Sequence, residues 1–98
     1  MNIETINLQK SASQQISANL AAQSCTIRVH QRNGDIYVDL HVISEAVVLG
    51  VLARDRVGLT RHAYLPFRGE LLFVDAHSTD DPQYTGLGER WLLAYLYK

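Results

Sequence analysis

The residues able to do chemistry are few and spread along the chain. Histidine is the commonest protein metal ligand, and the sequence has His30, His41, His62 and His77. None has a second ligand at short spacing, and neither Cys-x-x-Cys nor His-Glu-x-x-His occurs. His30 and His41 fall on the polar sides of two adjoining alternating runs. They are expected near one another on a wet surface rather than around a shared ion. Asp75, Asp80 and Asp81 form the acidic cluster. Oxygen-rich loops hold calcium, but this stretch has neither the spacing of a calcium loop nor a closing bidentate Glu. Its carboxylates are expected to cap turns. Asp75 and Asp81 are also the pair that carboxylate-based hydrolysis would use, yet a chain this short seldom has room for the required cleft. Gly86-Leu87-Gly88 is too short for a nucleotide loop, and no serine sits in a Gly-x-Ser-x-Gly elbow. No catalytic group, metal site or cofactor site emerges, and the chain is not expected to be an enzyme.

Bulk composition narrows the remaining classes. The chain has 98 residues, enough for one domain, taken as residues 1–98. Nine Lys and Arg against ten Asp and Glu argue against a nucleic-acid binder, which carries a basic surplus. Basic residues gather between Arg54 and Arg68, with Arg56 and Arg61 inside and Asp55 opposing. A solvated or salt-bridged face accounts for them better than a polyanion site. The charged fraction of 19% is slightly low, which is compatible with a protein packed against neighbours. Cys25 is the single cysteine, so no intrachain disulfide forms. It sits in an alternating apolar run and reads as a small core residue rather than a nucleophile. No run approaches the roughly 18 apolar residues of a membrane helix. The opening Met1-Asn2-Ile3-Glu4-Thr5 has no basic segment followed by an apolar block, which implies assembly in a cytoplasm.

The elements that must position these residues are strands. Ile16, Ala18 and Leu20 alternate with Gln15, Ser17 and Asn19. Cys25, Ile27 and Val29 alternate with Thr26, Arg28 and His30, and Ile36, Val38, Leu40 and Val42 alternate with Tyr37, Asp39 and His41. Successive strand side chains point to opposite faces, so each run has one buried and one wet side. Asn33-Gly34 between the second and third runs suits a type I′ turn, because both central residues need positive φ. Ala46 to Ala53 is apolar on both faces or a short helix; Val47, Val48, Val51 and the mid-run Gly50 favour a strand. Leu71 to Val74, ending in Asp75, reads as a further strand; Trp91 to Tyr97 fits a strand or a helix, and the alternation of Trp91, Tyr95 and Tyr97 with Leu92, Ala94 and Leu96 favours a closing strand. Segments 54–69 and 76–90 hold the turn formers, with Asp81-Pro82 starting a turn. The predicted fold is all-β: a single small antiparallel β-sandwich or barrel-like domain.

The last third carries a resemblance. Phe67, Gly69, Leu71, Phe73 and Asp75 form an aromatic-x-Gly-x-Leu-x-Phe-x-Asp segment, which runs on from Leu65-Pro66. Asp81, Pro82, Tyr84, Gly86, Leu87, Gly88 and Arg90 then form Asp-Pro-x-Tyr-x-Gly-Leu-Gly-x-Arg, followed by the apolar run from Trp91. This resembles the baseplate plug proteins of contractile-tailed phages, best known from cyanophage. The first half resembles the family more loosely, with a short strand from Ile3 to Leu8 expected at the start. Ala53-Arg54 departs from the pattern, in which a cysteine or similar small residue follows the apolar run.

The resemblance implies a non-enzymatic virion structural subunit in the tail baseplate, contacting hub, spike or tube proteins; the charge balance and the lack of a long apolar run add the expectation of no nucleic acid or membrane partner. A homo-oligomer within the baseplate is compatible with it. Read physically, Gly69, Gly86 and Gly88 permit positive φ or close approach of another segment. Tyr84 and Trp91 are amphipathic anchors for a core or an interface. Arg90 is placed to pair with Asp75 or Asp81 and pin the loop to the last strand. Asp75 to Arg90 is expected to be a protruding, partner-contacting loop. The competing reading is a ligand- or glycan-binding β-module, which needs a pocket lined by Trp91, Tyr95 and Tyr37.

Overall fold

A computed structural model describes residues 2–60 and 67–97. Expectations at Arg61, His62, Leu65 and Pro66 lie outside the described residues. The order is β1 (Asn2–Ile6), β2 (Ser13–Leu20), β3 (Gln23–Arg32), β4 (Asp35–Val42), β5 (Glu45–Leu52), β6 (Glu70–Asp75), a 3-10 turn (Tyr84–Gly86) and β7 (Trp91–Tyr97). The fold is all-β, as the alternation required. β2-β3-β4-β5 form an antiparallel meander, and β1-β7-β6 form a second antiparallel sheet with the last strand in its middle.

Each sheet buries one face against the other. Cys25, Ile27 and Val29 of β3, Ile36, Val38 and Leu40 of β4, and Val47 and Val48 of β5 meet Leu71, Phe73, Trp91, Leu93 and Tyr95 in one core. Full burial of such side chains stabilises by about 1.5–3 kcal/mol each. Burial pushes the Cys25 thiol pKa up, so its thiolate, the reactive form, is disfavoured.

The meander is built from hairpins with two-residue turns. Asn33-Gly34 has φ of 51° and 83°, the expected type I′ geometry. Ala21-Ala22 (50°, 64°) and Ile43-Ser44 (49°, 66°) adopt the same left-handed pair without the residues that favour it. A Cβ in that region is strained, and a β-branched Ile most of all. Ile43 is 76% exposed, so no burial compensates it.

β5 departs from the expected strand buried on both faces. Its register against β4 shifts between Val38 and Leu40, and again between Leu40 and His41. These bulges turn the adjacent Val47 and Val48 both inward while Leu49 stays 52% exposed. Gly50, at φ 62°, turns its N–H to the Asp39 carboxylate (2.5 Å). The expected proximity of His30 and His41 is not found. His30 sits opposite Tyr37 and His41 opposite Thr26. That is a four-residue offset along β3, about 13 Å at strand rise.

The sheets are also joined by polar contacts. Gln23, at the start of β3, donates through Nε2 to the carbonyls of Leu20 (3.0 Å) and Arg68 (3.1 Å) and to the Tyr95 hydroxyl (3.2 Å). Its Oε1 accepts from the Arg68 N–H (3.0 Å). The Tyr95 hydroxyl donates to the Arg68 carbonyl. On the other flank, segment 55–59 lies along β6. Arg56 N–H donates to Phe73 O and Leu59 N–H to Leu71 O, both at 2.7 Å.

Candidate functional site

β6 ends at Asp75 and β7 begins at Trp91, and these two residues face each other in the ladder. The loop between them is closed at its neck, where the Ala76 N–H donates to Arg90 O (2.7 Å). Asp75 organises it. Its side chain is fully buried, and Arg90 clasps it bidentately, Nε to Oδ1 and Nη2 to Oδ2, both 2.9 Å. The same carboxylate accepts the N–H groups of His77 and Asp80, each at 2.9 Å. Arg90 holds the Asp75 pKa well below the usual carboxylate range. Burial works against this shift, and the backbone donors assist it. Arg90 in turn is held more firmly protonated by Asp75 and Asp80.

A second layer of charge surrounds this pair. Arg90 reaches Asp80 (2.6 Å) and lies over the Trp91 ring at 4.4 Å. The Trp91 indole N–H donates to Asp80 O (3.0 Å). Asp55 accepts the Asp75 N–H (2.7 Å) and pairs with Arg56. Arg56 donates to the carbonyls of Asp75 and Ser78, each at 3.2 Å. Asp81 accepts the Asp55 N–H (3.0 Å) and Arg54 (3.3 Å). Arg90 therefore pairs with Asp75 as expected, but its second partner is Asp80, because Asp81 turns toward segment 54–55. Two arginines of the basic cluster, Arg54 and Arg56, are spent on this loop.

The far half of the loop is fixed by packing. Leu87 is buried and Tyr84 packs half-buried against the core. Pro82 is buried as well. A Cβ on Gly86 would come within 2.5 Å of the Trp91 ring, and one on Gly88 (φ 83°) would strike the Leu8 carbonyl. Lys10 pairs with Glu89 at 2.8 Å, tying the β1–β2 connection to the same turn.

The sequence motif thus splits by location. Phe73, Asp75, Pro82, Leu87 and Trp91 lie in the interior. Phe67 packs edge-to-face on Tyr95 at 5.8 Å, and Gly69 (φ 99°) leaves space for that ring. The exposed rim is His77, Ser78, Thr79, Asp80, Asp81, Gln83 and Thr85. Sequence reading missed the roles of Asp55 and Gln23. Both act on residues tens of positions away, and neither stands in a local pattern that reveals such a role.

The carboxylates of the site, Asp55, Asp75, Asp80 and Asp81, are engaged by arginines and backbone donors. Among the described residues, no group of three or more His, Cys, Asp or Glu is arranged to hold a metal ion. The aromatic pocket required of a glycan-binding module does not form. Trp91 and Tyr95 are core residues, while Tyr37 lies on the outer face of the other sheet, stacked on His30 at 6.2 Å. An open hollow of about 540 Å³ beside the loop, lined by Leu8 to Ser11 and Leu87 to Glu89, carries no aromatic ring.

Compared with curated proteins, the sequence matches none. A family model described as cyanophage baseplate Pam3 plug gp18 matches residues 3–98. That match takes in both sheets and the whole of the Asp75–Arg90 loop, and the chain belongs to this cyanophage baseplate plug family, a structural component of the phage tail.

Proposed function

We propose that the protein is a non-enzymatic subunit of a contractile tail baseplate, acting as one β-domain that fills space and grips hub, spike or tube proteins through the Asp75–Arg90 loop. The observation that carries this reading is the division of the loop into a fastened inside and an open rim. Arg90 and the His77 and Asp80 N–H groups fill the Asp75 carboxylate, and Asp55 takes the Asp75 N–H, so the loop is fastened from within. The rim from His77 to Thr79, with Gln83 and Thr85, is exposed. A preorganised protrusion loses little conformational entropy on docking, which favours affinity. An Asp75 carboxylate held ionised is a poor proton donor near neutral pH, which supports a structural rather than catalytic use. The near-balance of charge supports protein partners over nucleic acid.

The test is fractionation of purified virions. Mass spectrometry is expected to find the protein in isolated tails and baseplates, and its absence there ends the proposal. Replacing His77, Ser78 and Thr79 together by alanine is expected to reduce baseplate incorporation while leaving the thermal midpoint within a few degrees. Full incorporation of that variant would remove the loop rim from the contact.

A further inference from the structure

The outer strands of the two sheets are not equally protected. Edge strands are normally blunted by charge, proline, a bulge or a covering segment, because their free N–H and C=O groups invite another strand. β6 is covered by segment 55–59. β5 carries two register shifts and begins at Glu45. β1 is short and has Glu4 at its centre. Among the described residues, β2 has none of these devices. It runs Ser-Gln-Gln-Ile-Ser-Ala-Asn-Leu, without charge or proline, and pairs regularly with β3 along its whole length.

The Ala21-Ala22 turn fixes which β2 groups are free. A two-residue turn makes Leu20 and Gln23 a hydrogen-bonded pair, so Gln14, Ile16, Ala18 and Leu20 aim their backbone groups at β3. Ala12 follows the same parity, its carbonyl accepting from the Gln31 N–H (2.8 Å). Ser13 faces outward, and its backbone is met by the Ser11 hydroxyl. Gln15, Ser17 and Asn19 also face outward. Their side chains are exposed, and their backbone groups have no hydrogen-bond partner among the described residues.

We infer that this edge is a self-association site, pairing antiparallel with β2 of a second copy of the chain about a two-fold axis through Ser17. The occupant is read from the strand's own sequence. Gln15-Ile16-Ser17-Ala18-Asn19 has the same chemical order in both directions: amide, apolar, serine, apolar, amide. With Ser17 opposite its copy, Gln15 meets Asn19 of the other chain, and the two amides can bond on the outer face. Ile16 meets Ala18 on the inner face, extending the core against which both already pack half-buried. Every outward N–H and C=O of the three residues gains a partner in this register. No charge lies between Ser11 and Ile27, so nothing in the strand or its turn repels the copy. A two-fold contact of this kind closes on itself and does not propagate into fibres. The inference is independent of the baseplate reading.

The test uses the full chain. Sedimentation velocity is expected to show a concentration-dependent monomer–dimer equilibrium. Ser17→Lys places like charges across the axis and is expected to raise the dissociation constant by at least about tenfold, with an unchanged circular dichroism spectrum. Ser17→Cys is expected to form a covalent dimer on mild oxidation, because facing residues of a hydrogen-bonded pair lie about 5.5 Å apart, within disulfide reach. Ser44→Cys, on the exposed β4–β5 turn, is the control and is expected to cross-link far more slowly. A chain that stays monomeric to its solubility limit overturns the inference. So does a dimer indifferent to Ser17→Lys, or cross-linking no faster at 17 than at 44. A monomeric chain whose Ser17→Lys variant fails to enter baseplates would assign the edge to a different protein's strand and also overturns it. Baseplate incorporation itself is scored separately, by virion fractionation.

Discussion

Asp75 is the residue on which the loop turns. A buried carboxylate clasped by Arg90 is strongly coupled to folding, because removing one partner strands the other. Asp75→Asn is expected to lower the thermal midpoint by about 10 °C or more, read by circular dichroism. The pH dependence follows from the depressed pKa. The folded carboxyl ionises below its unfolded value of about 3.9, so its stabilisation is present above that value and fades as pH falls through the folded pKa. Wild type is expected to lose stability steeply below about pH 4, and the Asn variant to show a much flatter acid limb. Glycines give a second comparison. Gly88→Ala meets both a left-handed φ and the Leu8 carbonyl and is expected to cost more than about 2 kcal/mol. Gly34→Ala, with a φ of 83° but open space around it, is expected to cost about 1 kcal/mol in denaturant titrations. At this scale the sequence was partly legible. The Asp75–Arg90 pair could be named because both ends lie in one motif. The Asp80-for-Asp81 exchange could not, because it depends on Asp55, which approaches from a segment with no local signal.

The elements were more legible than their joints. Strict alternation located β2, β3 and β4, since period two admits only one buried side. The Asn33-Gly34 turn was readable because its residues want the conformation they adopt. Ala21-Ala22 and Ile43-Ser44 were not, because these residues disfavour it and the flanking ladders impose it. Strain of this kind is recoverable. Ile43→Asn combined with Ser44→Gly is expected to stabilise the protein by about 1 kcal/mol, measured by urea unfolding, since both replacements accept positive φ. No gain would mean that the exposed Ile43 makes a compensating contact. The shifts in β5 were hidden for a different reason. A bulge changes which neighbour faces inward without changing composition, so an apolar run such as Ala46 to Ala53 looks buried on both sides.

At the scale of the whole molecule, two sheets share one core and are laced together where Gln23 meets Arg68 and Tyr95. Gln23→Ala is expected to destabilise by about 1–3 kcal/mol, because the Arg68 N–H and the Leu20 carbonyl lose a partner. A loss below about 0.5 kcal/mol in denaturant titrations would mean that water replaces the amide. The all-β architecture was legible from alternation and turn spacing alone. The arrangement of strands into sheets was not, because nothing local announces that β1 and β6 share β7 as a neighbour. That placement governs how the polypeptide is born. The meander β2–β5 contains only adjacent pairings and can assemble while synthesis continues. Asn2 must wait for Tyr97, its ladder partner, to leave the ribosome. Until then β1 has no mate, and a transcript broken before residue 91 yields a chain whose meander has an uncovered apolar face, fit for proteolysis rather than for the particle.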